Sequence, residues 1–305
     1  WRVRWVPGVK VLGVPYDTPI AGFGNQTVNS LRLWSARADA ELDLGVFNQG
    51  DYMRAVEEKN ASETISKVLY PSDSVWAGRE LRLRQQYFFV ACAVADIVRR
   101  YKRLHRDFGA FSSKVAMQLN DTHPAIAVAE LMRLLVDVHK VGWDEAWRIT
   151  SGCFAYTNHT LLPEALEKWP VWLMEKVLPR HVMIIQEIHR RLVAEVRAKD
   201  PDPKVIERVS LFEEYGERQV RMANLAIAGS FSVNGVSELH SRLLRERMFP
   251  DFARHWPEKF RNETNGVTPR RWLAGCNPEL AALITESIGD RWPARLQLLE
   301  RLAPL

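Results

Sequence analysis

One pattern, which occurs twice in the middle of the chain, constrains the fold more than any other feature. A β-prone run at 114–119 leads into a polar turn at 120–123, and Pro124 then opens a stretch with helical apolar spacing. A β-prone run at 153–157 repeats this order, followed by the turn 158–160 and a predicted helix around Pro163. Strands that alternate with helices form βαβ units with right-handed crossovers. The sequence therefore predicts an α/β fold with a mainly parallel sheet.

The remaining elements are predicted from apolar spacing and from turn residues. The predicted helix 50–69 is exposed on most of its circumference, and the predicted helix 79–102 has a broad apolar face. The expected order is strand 10–14, turn 15–19, strand 30–35, helix 50–69, helix 79–102, helix 124–140 capped by Asp121 or Thr122, helix 182–198, helix 217–227, a turn-rich hinge at 262–269 and an amphipathic helix at 291–305.

Length and charge exclude several classes of protein. A chain of 305 residues is long enough for one large compact unit or two smaller ones. Its 42 basic and 37 acidic residues are mixed along the sequence, which favours a solvated surface over a nucleic-acid groove. No run of about 18 apolar residues occurs, so no membrane partner is expected.

The cysteines and the chain ends bear on location. Three widely spaced cysteines without a CxxC motif argue against disulfides and structural zinc and fit a reducing, cytoplasmic setting. The opening residues 1–5 lack a signal-peptide pattern. Because there is no initiator Met, and because the amphipathic pattern at 291–305 stops without a cap, we expect a piece of a longer chain.

Two polar turns are the candidates for chemistry. In an open α/β sheet, ligands bind outside the carboxyl ends of the strands, and both 120–123 and 158–160 are predicted to lie there. Their neutral donors and acceptors with one carboxylate suit ligand hydroxyls better than phosphates or metal ions, which points to a sugar. The alternative is that Asp121 and Thr122 only cap a helix while His123 and His159 make structural bonds.

Motifs of other enzyme classes are missing from the sequence. It contains neither GxGxxG nor GxxxxGK[ST], so a nucleotide cradled by glycines is not indicated. The absence of HExxH argues against catalytic zinc, no metal site is predicted, and no GxSxG elbow occurs. The 11 tryptophans fit either sugar stacking or ordinary packing.

Long strings around the two turns resemble the α-glucan phosphorylases, the family of glycogen, starch and maltodextrin phosphorylases. They are QLNDTHP at 118–124, AYTNHT at 155–160, LPEALEKWP at 162–170 and TNGVTPRRW at 264–272, with PYDTP at 15–19, LRLWSA at 31–36 and VLYP at 68–71 in the same order. The resemblance implies a GT-B two-domain architecture with Rossmann-like parallel sheets. Residues 1–264 then belong to the later half of the N-terminal domain, on the glucan side of the cleft, and 265–305 to the truncated start of the C-terminal domain.

The resemblance also implies an activity. The family transfers the non-reducing glucosyl unit of an α-1,4-glucan to inorganic phosphate and gives α-glucose 1-phosphate with retention. Its cofactor, pyridoxal phosphate, exchanges a proton with the substrate phosphate while its aldehyde stays bound to a lysine in a Met-Lys pair. None of the 11 lysines here follows a methionine, so no cofactor-binding residue is expected in this chain. We therefore expect an enzymatic parent, a hexosyltransferase, and an inactive isolated chain.

Site residues follow from the matching motifs. The resemblance implies catalytic roles for His159 and Asp121, with the carbonyl and side chain of His159 holding the transferred ring near its 6-hydroxyl. The other implied glucan contacts are Asn265 at the same hydroxyl, His123 and Asp121 towards the acceptor glucose, Thr160 nearby, and Asp73 in a gate loop where the family often has Asn at the position of Ser74.

Regulation and assembly are implied more indirectly. In one branch of the family two arginines matching Arg99 and Arg100 receive an effector phosphate, although here they can also simply complement a helix C-terminus. The helix within 50–67 matches a dimer contact, so a homodimeric parent is expected. Two rival functions stay open: a non-catalytic glucan-binding or regulatory module, and a nucleotide-sugar glucan synthase of the same architecture.

Overall fold

The computed structural model describes residues 3, 5–6 and 8–304, and these fall into two compact units. One unit holds the described residues up to Pro15 together with Trp34–Glu263, and the other holds Tyr16–Leu33 with the described residues from Thr264 onward. Most of the opening motif and the last residue of the predicted C-terminal helix lie outside the described residues. The assignment of 1–264 and 265–305 to two phosphorylase domains stays a prediction.

The strands of the described residues form three sheets. A two-stranded sheet pairs the first two strands, a four-stranded sheet has the order β3-β4-β8-β9, and a three-stranded sheet has the order β5-β7-β6. The strands are β1 (Val11–Ala21), β2 (Val28–Ala38), β3 (Met117–Asn120), β4 (Phe154–Thr157), β5 (Lys168–Pro170), β6 (Phe212–Glu213), β7 (Gln219–Arg221), β8 (Ser230–Gly235) and β9 (Phe260–Asn262).

Helices separate most of these strands. The α-helices are α1 (Leu44–Asn48), α2 (Tyr52–Ala55), α3 (Glu57–Thr64), α4 (Trp76–Lys102), α5 (Phe111–Lys114), α6 (Ala127–Arg133), α7 (Trp143–Ser151), α8 (Val171–Val177), α9 (Pro179–Lys199), α10 (Pro203–Val209), α11 (Met222–Ala228), α12 (Glu238–Leu243), α13 (Pro250–His255) and α14 (Pro278–Ile288). Wider or tighter helical turns are Leu134–Val138, Pro163–Ala165, Leu244–Met248, Pro257–Lys259, Arg270–Gly275 and Leu296–Leu302.

The predicted parallel sheet is confirmed. Neighbouring strands β3, β4, β8 and β9 all run parallel, with helices between them in sequence. The small sheet β5-β7-β6 is antiparallel and was not predicted. The predicted helices 79–102 and 182–198 correspond to α4 and α9.

Several predicted boundaries were wrong. The expected turn 15–19 is part of strand β1, because a strand in a two-stranded sheet has one unpaired edge where proline removes no ladder bond. The predicted helix 50–69 divides into α2 and α3 and ends at Thr64. The predicted helix 217–227 begins only at Met222, because 219–221 pairs as β7.

The helices expected after the two polar turns also differ from the prediction. Helix α6 starts at Ala127, and its N-cap Ile126 makes no side-chain cap bond, so neither Asp121 nor Thr122 caps it. The chain at 122–126 first makes tight turns, in which Ala125 N–H donates to the Thr122 carbonyl at 2.9 Å. After Pro163 only a 3₁₀ turn forms, because 168–170 joins the small sheet as β5.

Helix α6 lies at the centre of the main core. Its residues from Ala127 to Met132 are all buried, and it packs against α4, α7 and α9. Buried Glu130 accepts from the Arg133 side chain at 2.8 Å and lies 2.7 Å from Nε2 of buried His181 on α9. A polar pair of this kind fixes the helix register where apolar packing alone would allow sliding.

Candidate functional site

The carboxyl ends of the parallel strands carry a row of paired polar side chains. Asn120, Thr157 and Asn234 lie side by side in the register of β3, β4 and β8. The Thr157 hydroxyl accepts from Gln118 Nε2 and donates to Asn234 Oδ1, each at 2.8 Å. These bonds hold the three strand ends in fixed relative positions, so the turns that follow them start from a rigid edge.

The first turn, at 121–123, begins with an unusual backbone. Asp121 has φ of 64°, in the left-handed region that non-glycine residues seldom adopt. Its N–H donates to the Thr157 carbonyl at 3.0 Å, and its Oδ1 accepts from the Thr122 N–H at 2.6 Å. Asp tolerates this conformation because its short side chain bonds the local backbone. The left-handed residue ends the strand and turns the chain into the segment that carries His123.

The second turn, at 158–160, rests on a buried polar network. Asn158 is fully buried and donates from Nδ2 to the Tyr156 hydroxyl at 3.0 Å, while its Oδ1 accepts from the Thr160 N–H at 3.1 Å. His240 accepts the Val236 N–H at Nδ1, at 3.1 Å, and lies 3.0 Å from Asn158 Oδ1 at Nε2. A neutral His240 that donates from Nε2 satisfies both bonds. Burial, and then the charge of His159, lowers the pKa of His240, which agrees with that neutral form.

A short hydrogen bond joins the two turns. Exposed His159 places Nε2 2.5 Å from Oδ1 of Asn120, the last residue of β3. Since an amide oxygen only accepts, the ring donates from Nε2, and Nδ1 has no bond in this contact and can meet a ligand hydroxyl. The structure therefore brings the turns that contain Asp121 and His159 together at one edge of the sheet.

Tyr70 is a neighbour of the first turn that sequence reasoning missed. Its hydroxyl shares a 2.9 Å hydrogen bond with His123 Nδ1, and the two rings meet edge to face at 5.0 Å. Tyr70 also has a positive φ, 54°, so two of the three described non-glycine residues with positive φ belong to this site. Strained backbone conformations of this kind cluster at functional sites. The place of Tyr70 in the string VLYP at 68–71 was the available signal, because a following proline favours an extended backbone and does not predict a positive φ.

The predicted gate-loop residue Asp73 is connected to Tyr70 through an arginine. Asp73 is largely exposed and pairs with Arg82 of α4 at 3.3 Å, and the Arg82 guanidinium lies 5.3 Å from the Tyr70 ring centroid. Ser74 shares a 3.0 Å hydrogen bond with Ser72. Thr160 uses its hydroxyl locally, because Oγ1 accepts from the Leu162 N–H at 3.1 Å.

A second missed residue is Glu167. Its Oε1 accepts from Gln86 Nε2 at 2.7 Å, whereas Oε2 is buried and has no hydrogen-bond partner within the described chain. Burial raises the pKa of Glu167, and the charge of Asp121 adds to this, against the hydrogen bond from Gln86 and the charges of His123 and Arg82. The Glu167 carboxyl group, which favours its neutral form, is therefore close enough to Asp121 and His123 to interact electrostatically with both. Sequence gave no signal for it beyond its place in the string at 162–170.

The other predicted residues lie elsewhere. Asn265 belongs to the second compact unit, so its role at the glucosyl ring stays a prediction. Arg99 and Arg100 lie in the last turn of α4, where Arg99 pairs with Asp96. Among the residues that the structure describes, no group of three or more His, Cys, Asp or Glu side chains could hold a metal ion. No described helix combines the length and apolarity needed to cross a membrane.

Fold and site together define a class: an α/β protein with an open parallel sheet whose carboxyl edge presents uncharged donors and acceptors beside one carboxylate. The sequence profile of the carbohydrate phosphorylases, a family with the GT-B fold, matches residues 1–305. The chain belongs to this carbohydrate phosphorylase family.

Curated relatives agree over almost the whole chain. It is 52% identical over 305 residues to a glycogen phosphorylase of Synechocystis sp. and covers 36% of that protein. It is also 50% identical over 308 residues to the liver form of glycogen phosphorylase from Homo sapiens and to the muscle form from Oryctolagus cuniculus. Each alignment covers 98% of this chain and 36% of the relative. The chain thus spans little more than a third of the length of these relatives.

Proposed function

We propose that the protein containing this chain is an α-1,4-glucan phosphorylase, which transfers non-reducing glucosyl units to inorganic phosphate and gives α-glucose 1-phosphate with retention. The observation that carries the proposal is the 2.5 Å bond between Asn120 Oδ1 and His159 Nε2, which links the end of β3 to the second turn at one sheet edge. The identity of about 50% between this chain and glycogen phosphorylases supports the same proposal.

The residues of the site would act by positioning. In this proposal His159 holds the transferred glucosyl ring and Asn265 bonds its 6-hydroxyl, while Asp121, His123 and Thr160 face the acceptor side. The substrate phosphate protonates the leaving oxygen and captures the glucosyl unit. The protein then needs only to fix the glucosyl ring and to stabilise an oxocarbenium-like centre. Neutral donors and one carboxylate can do this, and no second carboxylic acid is needed. Asp73, exposed and paired with Arg82, is proposed to move with the gate loop.

The family's cofactor is pyridoxal phosphate, and the sequence of this chain contains no Met-Lys pair at which it would be attached. None of the 11 lysines follows a methionine. The buried amine with the lowest pKa, that of Lys259, already bonds the carbonyls of Ile227 and Ala228 and precedes β9 at the edge of the sheet opposite the site. We propose that the cofactor is bound by the part of the protein outside this chain.

Assembly, location and regulation extend the proposal. A homodimer would use 50–67, where Tyr52 and Met53 of α2 are 61% and 81% exposed. A cytoplasmic location is supported by three free cysteines. An effector phosphate at Arg99 and Arg100 is supported by their place at the end of α4, where both side chains are exposed. Sedimentation of the full-length protein as a monomer at micromolar concentration would contradict the dimer.

Phosphorolysis by the full-length protein tests the central claim. With maltoheptaose, glycogen or starch and inorganic phosphate, we expect α-glucose 1-phosphate, detected by ³¹P NMR, and the relative rates give the preferred polymer. Transfer from a nucleotide sugar without phosphate would identify a synthase instead. Glucan binding without either reaction would identify a binding module.

A further inference from the structure

A cavity of about 260 Å³ lies away from the candidate site. Trp143, Trp147 and Ser151 line it from α7, where their spacing of four residues places them on one helix face. Arg191 and Glu195 line it from α9 at the same spacing. Helices α7 and α9 and the segments before β8 and β9 thus form its walls.

The cavity is at the amino edge of the parallel sheet. Ser151, Ala228 and Lys259 line it, and they shortly precede β4, β8 and β9 respectively. The turns that carry Asp121 and His159 follow the carboxyl ends of β3 and β4. Strands of four to six residues separate the two edges by roughly 13 to 20 Å. A ligand in this cavity would therefore occupy a different site from the glucan.

Three tryptophans give the cavity aromatic walls. Trp143, Trp147 and Trp256 are each partly buried, and the indole N–H of Trp143 is buried without a partner within the described chain. The Nζ atoms of Lys199 and Lys259 both lie 5.7 Å from the Trp256 ring centroid. Indole faces bind flat or C–H-rich ring surfaces, and an unpaired buried N–H calls for an acceptor oxygen.

Lys259 supplies a partly buried cation without a carboxylate partner among the described residues. Its Nζ donates to the carbonyls of Ile227 at 3.2 Å and Ala228 at 3.4 Å, and no carboxylate of the described chain lies within 4 Å. The other charged side chains of the cavity are paired: Arg191 with Glu187 at 2.6 Å, and Glu195 with Lys199 at 2.8 Å. Burial lowers the pKa of Lys259 to about 8, against the charges of Glu258 and Glu195. An ammonium has three N–H donors, so one remains for a ligand.

We propose that this cavity binds a single-ring sugar phosphate, with the sugar ring against the indoles and the phosphate on Lys259. The volume of about 260 Å³ is just below that of pockets for drug-sized ligands, which favours one ring over two. In this proposal the phosphate supplies the anion that Lys259 lacks, and an oxygen of the ligand accepts from the Trp143 N–H. The choice of a sugar phosphate rests on the proposed function, whose product is α-glucose 1-phosphate.

Titration of the 305-residue chain with α-glucose 1-phosphate, followed by tryptophan fluorescence and calorimetry, tests the proposal. We expect binding at least 10-fold tighter than that of glucose or of inorganic phosphate alone. Lys259→Met should weaken it at least 10-fold, whereas Lys204→Met, which removes an exposed lysine outside the cavity, should change it less than twofold. Equal affinity for inorganic phosphate, or equal effects of the two lysine changes, would overturn the proposal.

Further measurements separate binding from folding. Lys259→Met removes bonds to two carbonyls, so its thermal midpoint is compared with that of Trp143→Phe, which keeps a ring but deletes the indole N–H. Trp143→Phe should weaken binding severalfold without unfolding the chain. Binding should also weaken as the pH rises through about 8, because Lys259, which is near the side chains of Glu195 and Glu258, loses its proton there.

The inference and the proposed function fail in different experiments. Loss of binding in His159→Ala but not in Lys259→Met would place the ligand at the candidate site and refute the cavity. Phosphorolysis by the full-length protein with no binding in the cavity refutes the inference alone. Binding in the cavity without phosphorolysis refutes the proposed function alone.

Discussion

Asn120, the last residue of β3, and His159, in the turn after β4, share a 2.5 Å hydrogen bond, so each holds the other's side chain in place. In the full-length protein we expect His159→Ala to lower kcat/KM for glucan by about 100-fold and Asn120→Ala by about 10-fold. A glucosyl ring displaced by about 1 Å from its productive position reacts much more slowly. The double variant should be little worse than His159→Ala, since the two residues act as one unit. Initial-rate kinetics on maltoheptaose measure all three.

A histidine outside the site provides the control. His105 stacks on Tyr101 at 4.1 Å near the end of α4, and His105→Ala should leave kcat/KM within twofold. Thermal midpoints of the site variants should stay near that of the wild type, because His159 and Asn120 are exposed. Unchanged turnover in His159→Ala would remove that residue from the site.

Glu167 predicts a pH dependence of stability. Its pKa is raised in the folded state, chiefly by burial, so the folded protein binds this proton more tightly than the unfolded chain does. Stability from this group is present at low pH and falls as the pH rises from the ordinary carboxyl range through the raised pKa. Glu167→Gln keeps the bond with Gln86 available and removes the titration.

Chemical denaturation at pH 5 and pH 8 measures this effect. We expect Glu167→Gln to gain stability relative to the wild type on going from pH 5 to pH 8. The exposed residue Glu164, three positions earlier, is the matched control, and Glu164→Gln should show no such change. A difference between wild type and Glu167→Gln that is independent of pH would contradict the assignment.

At the scale of elements, Gly229 sets how closely β8 and α11 approach helix α6. A Cβ atom at Gly229 would lie 2.6 Å from both Cγ atoms of buried Val128. We therefore expect Gly229→Ala to cost about 1–3 kcal/mol of unfolding free energy through overpacking. Gly142→Ala, at the N-cap of α7 with no neighbour within 4 Å, should change stability by less than about 0.5 kcal/mol.

A double variant checks the cause. Val128→Ala removes the clashing methyl groups, so Gly229→Ala with Val128→Ala should be less destabilised than the sum of the single changes. Urea unfolding gives the four free energies of the cycle. Simple additivity would show that the cost arises from the backbone of Gly229 and not from this contact.

Elements with a strong local signal were predictable. Helix α4 has a long apolar face, and the run at 153–157 is compact and β-prone, so each has one plausible structure. Secondary structure was predicted wrongly where it depends on pairing between segments that are distant in the sequence. Strands β5 and β7 are three residues each and exist because they pair with each other, which no local pattern encodes.

The site was predictable to a similar extent. The strand-end rule placed Asp121 and His159 at one edge, because carboxyl ends of parallel strands share it. Tyr70 reaches His123 from a segment more than 50 residues earlier, and Glu167 is held by a hydrogen bond from Gln86 of α4, so neither contact follows from local sequence. Asn265 lies in the other unit, so its part in the site remains a prediction.

For the molecule as a whole, the chain covers 36% of the Synechocystis glycogen phosphorylase and contains no Met-Lys pair. We expect the isolated 305-residue chain to fold its main core and yet to catalyse no phosphorolysis. Circular dichroism and a glucose 1-phosphate assay measure the two properties, with the full-length protein as the positive control. A borohydride-fixable pyridoxal phosphate absorbance together with phosphorolysis by the isolated chain would contradict this.

The left-handed backbone of Asp121 also restricts how that codon can change over time. Single-nucleotide changes lead from Asp to Asn or Gly, the residues that tolerate this conformation best, whereas most other side chains would cost about 1–2 kcal/mol there. Both tolerated replacements lose the carboxylate. A lineage released from selection for glucan chemistry could therefore fix Asn or Gly at position 121 with its fold intact, and that substitution would mark a pseudoenzyme before any loss of structure did.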